Sequence, residues 1–203
     1  MNTLEKLPSM IESQSLLRPS LGLIMVGFLI AGALYCSVSV SIAQLIFPTQ
    51  ANGSLITTNG KIVGSSLVGQ SFVSDHYFHA RPSAIDYDAF AVGGSNLAVS
   101  NPELHRQIKE RTAQFAQHNH TTAEQVPNEM ITASGSGIDP DISPESALLQ
   151  VKRVAEQHHL AEQQVTNLVK QHIQPAQWGI YGQARVNVLQ LNLALDQLSS
   201  TPR

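Results

Sequence analysis

Four places in the 203-residue chain hold residue types suited to chemistry. The first is Ser134-Gly135-Ser136-Gly137. A serine nucleophile on a strand-to-helix elbow needs glycine two residues before it and two after. Ser136 has Ser134 and Ile138 there, and Ser134 has Thr132 and Ser136, so the pattern fails for both. The run reads either as a nest of backbone N–H groups for an anion or phosphate, or as a connector that gives Ser143 room to cap the next helix. The second place is Asp75, His76 and His79. A helix would put His76 and His79 on one face, as a metal site requires, but Tyr77-Phe78 and Pro82 point to an extended segment. The third, Asp139 and Asp141, resembles half of a calcium loop, without the later acidic ligand. The fourth, Gly53 to Lys61, starts with Gly and ends Gly-Lys like a phosphate loop. Its spacing is wrong, and Ile62 stands where Ser or Thr would bind magnesium. His118/His120 and His158/His159 are expected at helix edges, in solvent. These residues make up no complete catalytic or metal-binding set.

The chain that must position them is organised around Leu21 to Phe47, a run without Lys, Arg, Asp, Glu or His. As a helix rising about 1.5 Å per residue it reaches roughly 40 Å, against about 30 Å of bilayer hydrocarbon. Lipid offers no partners for backbone N–H and C=O groups, so a single span must be helical. A cleaved signal peptide is the rival reading. Ser41-Ile42-Ala43 offers small residues for a cut before Gln44, but the apolar run exceeds an ordinary h-region of about 7–15 residues and continues past the cut. A lipidated Cys36 is disfavoured by bulky Tyr35 before it. Lys6 and Arg18 precede the run and only Lys61 follows closely, so the positive-inside rule leaves the N-terminus cytoplasmic and the rest outside. Cys36, the one cysteine, lies within the run, so no disulfide or cysteine metal site is expected beyond it. Ala33, Ser37 and Ser41 recur at every fourth position and would let a partner helix approach closely.

Three regions follow: a cytoplasmic stub over 1–20, the span over 21–47, and one extracytoplasmic domain over 48–203. A net charge of −3 with only 13% charged residues carries no polybasic stretch for nucleic acid. Asn59-Gly60 between Leu55–Thr58 and Lys61–Val63 predicts a hairpin, because both turn residues must take positive φ. Gly69 to Asn101 reads as a long loop. Its Tyr77, Phe78 and Arg81 are types enriched at interfaces, or else aromatic anchors that fix the loop to the core. Ser100-Asn101-Pro102-Glu103 and Ser143-Pro144-Glu145 start helices, with a cap and then proline at the first position. Leu104, Ile108 and Phe115 line the first, and Ala147, Leu148, Val151, Val154 and Ala155 the second. Val165, Leu168, Val169 and Ile173 mark a third helix. Arg185 to Gln190 reads as a strand, with a short terminal helix over Leu191 to Leu198. The fold class is α+β: one span, then one domain with a hairpin and three or four helices. Such a protein is a subunit or a binding protein. The alternative is a free-standing, membrane-anchored periplasmic ligand-binding module or hydrolase.

An ordered set of short motifs narrows this. They are Asn52-Gly53-Ser54-Leu55, Ser66-Leu67-Val68-Gly69-Gln70, Tyr77-Phe78-His79-Ala80-Arg81-Pro82-Ser83-Ala84, Gly94-Ser95-Asn96-Leu97, Ser100-Asn101-Pro102-Glu103-Leu104, Thr132 to Asp139, Ile142-Ser143-Pro144 and Val186 to Asp196. After an N-terminal anchor, this set resembles the C subunits of the bacterial Kdp potassium-transporting P-type ATPase. The resemblance implies a non-catalytic accessory subunit of a high-affinity potassium uptake complex in the inner membrane, with its C-terminal domain periplasmic. The implied partners are a potassium-selecting A subunit, an ATP-hydrolysing B subunit, a small F peptide and membrane lipid, without nucleic acid. ATP and the potassium ion are implied through the complex, with no tightly bound cofactor and no metal. The family is described as a catalytic chaperone that raises the ATP affinity of the B subunit. The residues to which a nucleotide, anion or other loop function is carried are Gln70, Ser134, Gly135, Ser136, Gly137 and Asp139. Subunit contacts are expected at Ala33, Ser37, Ser41, Tyr77, Phe78, Arg81 and Asn96. Ala80, Asp141 and Lys152 depart from the common pattern.

Overall fold

A computed structural model describes residues 16–200; the first 15 residues of the expected stub lie outside these. The chain divides into two units, Met1–Asn52 and Gly53–Arg203. In the first, helix α1 (Leu17–Ile46) is 30 residues long, apolar, and buries none of its apolar window within the protein. It is long and apolar enough to cross a membrane. It starts four residues earlier than expected, at Leu17 instead of Leu21. It stops at Ile46 because Pro48 disfavours a helical residue before it; Phe47 leaves the helix at φ −130° and ψ 56°. Pro48–Ala51 then adds a single turn. Its middle, Phe28–Tyr35, takes the wider π register, so Ala33 lies in that stretch while Ser37 and Ser41 lie in the α-helical turns after it. All three are exposed.

The second unit opens with an antiparallel hairpin of β1 (Leu55–Thr58) and β2 (Lys61–Ser65). Asn59 and Gly60 turn it at φ 53° and 74°, as their identities require. Gly69 to Asn101 forms no regular element. Helix α2 (Pro102–His118) starts where Asn101 accepts the Glu103 N–H at 2.9 Å. Helix α3 (Pro144–His158) starts where Ser143 accepts the Ser146 N–H at 3.1 Å. Helix α4 (Glu162–Gln171) and helix α5 (Val188–Ser200) are the other helices longer than a single turn. Three short strands form an antiparallel sheet in the order β3 (Asp141–Ile142), β5 (Arg185–Asn187), β4 (Ile173–Gln174). The core joins Val151 and Val154 of α3, Val165 and Val169 of α4, and Leu191 and Leu195 of α5 to Ile142, Val186 and Phe78.

The α+β expectation holds, with four local corrections. Ile173 belongs to β4 and not to the third helix, which stops at Gln171. The strand at Arg185 ends at Asn187, and Val188 to Gln190 are already helical, because the Asn187 side chain accepts the Gln190 N–H at 3.1 Å and starts α5 there. Leu148 sits on the outer side of α3, exposed. Phe78 is fully buried, so its ring anchors the loop and is out of reach of a partner.

Candidate functional site

The stretch from Asp75 to Pro82 is held by side chains where a sheet would use backbone. Asn192 on α5 accepts the Phe78 N–H at 2.8 Å and donates to the Phe78 carbonyl at 3.0 Å. Gln150 on α3 treats His79 the same way, at 2.7 and 3.1 Å. These two amides imitate the neighbouring strand that the segment lacks, and satisfy backbone groups that are costly to bury unpaired. Arg153, one turn beyond Gln150, is almost fully buried. Its Nε donates to Asn119 Oδ1 at 2.9 Å, Nη2 to Gln150 Oε1 at 2.9 Å, and Nη1 to the carbonyls of Tyr77, at 2.9 Å, and Asp75. Burial pushes its pKa down to about 10, against the opposing charge of Asp75, and it remains a cation at neutral pH. Burial and the Arg153 charge hold the His79 ring below its ordinary value. Its Nε2 lies 3.0 Å from the Ser74 carbonyl.

Beyond Pro82 the irregular stretches converge on the run from Ser134 to Asp139. The Ser134 N–H donates to the Pro82 carbonyl at 3.0 Å, Gly93 N–H to Ser136 O at 2.9 Å, and Gly69 N–H to Ile138 O at 2.7 Å. Gly137, at φ +73°, has no room for a Cβ against Ile85. Arg81 Nη1 pairs with Asp139 Oδ2 at 3.0 Å, while its buried Nε has no hydrogen-bond partner. Tyr87 Oη donates to the Arg81 carbonyl at 2.6 Å. Gln70 turns the other way, its Nε2 donating to Val63 O of β2 at 2.9 Å.

Three carboxylates stand beside this junction in a cleft of ≈ 250 Å³ with Ser143 and Arg185. Each has polar partners. Glu129 accepts from the Ser143 N–H at 2.8 Å and from the Ser146 hydroxyl. Burial raises its pKa, but these hydrogen bonds and the Arg81 charge outweigh it and leave it below the ordinary value. Asp141 pairs with Arg185 at 3.1 Å and accepts from Asn187 at 3.1 Å. Burial still holds its pKa above the ordinary value. Asp139 binds Arg81, as above. A larger cleft of ≈ 530 Å³ runs between α2 and the loop, lined by Phe72, His79, Tyr87, Arg111, His118 and Met130 among others.

The expected site residues thus separate. Arg81, Ser134, Gly135, Ser136, Gly137 and Asp139 meet at one junction; Gln70 ties the adjoining loop to the hairpin. The two serine hydroxyls of the run are taken up inside it: Ser134 Oγ accepts the Gly137 N–H at 2.8 Å, and Ser136 Oγ the Ile138 N–H at 3.2 Å. That is a locked turn, which removes the Gly137 N–H from the expected nest, as the Pro82 carbonyl removes that of Ser134. Asn96 is exposed, at φ 50°, and Tyr77 is half-buried with its hydroxyl 3.5 Å from Asp196. The segment around His76 and His79 is not helical, and among the described residues no group of His, Cys, Asp and Glu could hold a metal. His158 is held, not free in solvent: its ring lies 2.9 Å from the His76 carbonyl and 2.8 Å from Ser199. Gln150, Arg153, Asn192 and Asn119 escape sequence reasoning: Gln150 and Arg153 lie beside the apolar stripe of α3, where polar residues read as solvent-facing.

The family model for the c chain of K+-transporting ATPase matches residues 17–197. A potassium-transporting ATPase KdpC subunit of Gemmatimonas aurantiaca is 50% identical over 91% of this chain and 94% of its own. Subunits of the same name from Shewanella putrefaciens, 47% identical over 90% of both chains, and from Escherichia coli, 44% over 90% and 97%, are similar throughout.

Proposed function

The chain belongs to the KdpC family, and from that premise we propose that it is a non-catalytic accessory subunit of an ATP-driven potassium uptake complex. The observation that carries this reading is the extent of the family match: residues 17–197 include both the apolar helix and the domain. In this reading α1 anchors the chain in the bacterial inner membrane, with the N-terminus cytoplasmic and the domain periplasmic. Its partners are a potassium-binding A subunit, a B subunit that hydrolyses ATP, and a small F peptide. ATP and potassium act through the complex.

The chaperone role, a raised ATP affinity of the B subunit, then has to act across the membrane. A periplasmic domain does not touch cytoplasmic nucleotide, so the coupling runs through helix contacts at α1, where Ala33, Ser37 and Ser41 expose a row of small side chains. The Arg81–Asp139 junction supplies the rigid end of that coupling. Its loops are cross-linked by backbone hydrogen bonds from Gly69, Gly93 and Ser134, so it docks as one body.

The test is purification in mild detergent from native membranes, with potassium-stimulated ATPase activity assayed on whatever accompanies the chain. A co-purifying ATPase with that activity is the expected result, and a lone chain overturns the reading. Within the complex, Ser37→Leu is expected to raise the KM for ATP or to weaken assembly. An unchanged KM and unchanged recovery remove the helix-coupling part.

A further inference from the structure

The hairpin between β4 and β5 ends in an aromatic tip that is largely exposed. Trp178 is 81% exposed, Ile180 77% and Tyr181 62%. The two aromatic rings meet only edge to face, at 6.0 Å and 75°. The tip is not loose. Gln177 N–H donates to Tyr181 O at 2.8 Å and Tyr181 N–H to Gln177 O at 3.0 Å, with Gly179 N–H on Ala176 O at 2.9 Å. Trp178 itself sits at φ +54°, a left-handed conformation that is unfavourable for a bulky residue. The chain therefore bears two costs here, a strained backbone and an apolar ring that lies mostly in water. Outliers of this kind gather where the surrounding function requires them.

We propose that Trp178, Ile180 and Tyr181 insert into an uncharged, apolar recess on another chain of the transporter. The inference rests on the reading above that this protein is one subunit of a larger complex. Charge selects the occupant. From Ile173 to Ala184 no side chain carries a charge, and Arg185 at the foot of the hairpin is paired with Asp141. An anionic lipid surface is met by basic residues, which the tip lacks. The core of a protein interface is depleted in charge and enriched in Trp and Tyr. The tip is already ordered, so docking immobilises little more of the chain.

The experiment uses the full chain expressed with its partner chains. The Trp178→Asn, Tyr181→Ser variant keeps a residue that tolerates positive φ at 178 while removing both rings. It is expected to retain at least tenfold less co-purifying ATPase than wild type, with the thermal unfolding of the isolated chain unchanged. Trp178→Phe is expected to restore most of the retention. Undiminished retention by the double variant overturns the inference. Trp178 is the only tryptophan, so the isolated chain in bilayers of brominated uncharged lipid supplies a second arm. Unquenched emission supports a protein recess, and strong quenching gives the tip to lipid and overturns it. Wild type that retains no ATPase defeats the underlying subunit reading instead, which keeps the two failures distinct.

Discussion

The stretch around Phe78 and the tip around Trp178 are both irregular, aromatic segments, yet they invest their polar groups in opposite ways. At Phe78 the backbone gives its N–H and carbonyl to side chains of distant helices, and the ring is fully buried. At Trp178 the backbone bonds to itself across a five-residue turn, and the ring is left outside. The first arrangement makes a segment depend on the domain. The second makes a segment that holds its shape without the domain's help. Aromatic content alone therefore does not distinguish an anchor from a contact; the destination of the backbone hydrogen bonds does.

The contrast breaks most visibly at the core. Phe78→Ala should cost about 3–5 kcal/mol, read as the denaturant midpoint of the chain in detergent; a loss below about 1 kcal/mol would mean that the ring is not an anchor. Arg153→Met should cost less, about 2–3 kcal/mol, because it strands the Tyr77 and Asp75 carbonyls and the amide oxygen of Asn119 without their donor. An unchanged midpoint would show that the clamp carries no stability.

The acid side of the profile sharpens the same region. His79 is held below its ordinary value of 6.5 by burial and by Arg153, against raising contributions from Ser74 and Asp75, with His118 adding to the lowering. The unfolded chain therefore binds the proton first, and the stability conferred by neutral His79 is present above pH 6.5 and is lost as pH falls below it. Thermal unfolding of wild type should fall through that window, and His79→Gln should flatten it. Equal slopes for the two proteins would count against His79 as the source. The smallest effect belongs to the tip: Trp178→Asn should change stability by no more than about 0.5 kcal/mol. A larger loss in the isolated chain would turn the tip from a contact into a structural element.

Much of the architecture is legible locally. Asn101-Pro102 and Ser143-Pro144 start helices because a cap and a proline with fixed φ act within four residues, and Asn59-Gly60 closes a hairpin for the same kind of reason. The apolar run of α1 needs no tertiary context at all. What escapes is whatever depends on distant partners. Arg185 to Gln190 reads as a strand, and the Asn187 side chain, which also reaches Ser66 O at 2.9 Å, starts the helix within it. The two-residue strands β3 and β4 are too short to carry a period. At the candidate site, Arg81 and Asp139 lie 58 positions apart and are joined by loops whose course no local rule dictates. The Gln150–Arg153 clamp hides because its members are polar residues beside the apolar stripe of α3, where sequence reads solvent, although both are buried.

The passage from β5 to α5 has a mechanical meaning. Strand and helix are consecutive, Asn187 then Val188, with no residue between them. Asn187 is also bolted to Ser66 and Asp141, and the Val188 N–H to the Pro140 carbonyl. Hinges work by loop residues that absorb changes of φ and ψ, and this joint contains none. A load applied to β5 is thus carried into α5 without slack. One turn along, α5 bears Asn192, which grips Phe78. Strand, helix and gripped segment form a stiff linkage, so they should share one level of protection in amide hydrogen exchange and loosen as one.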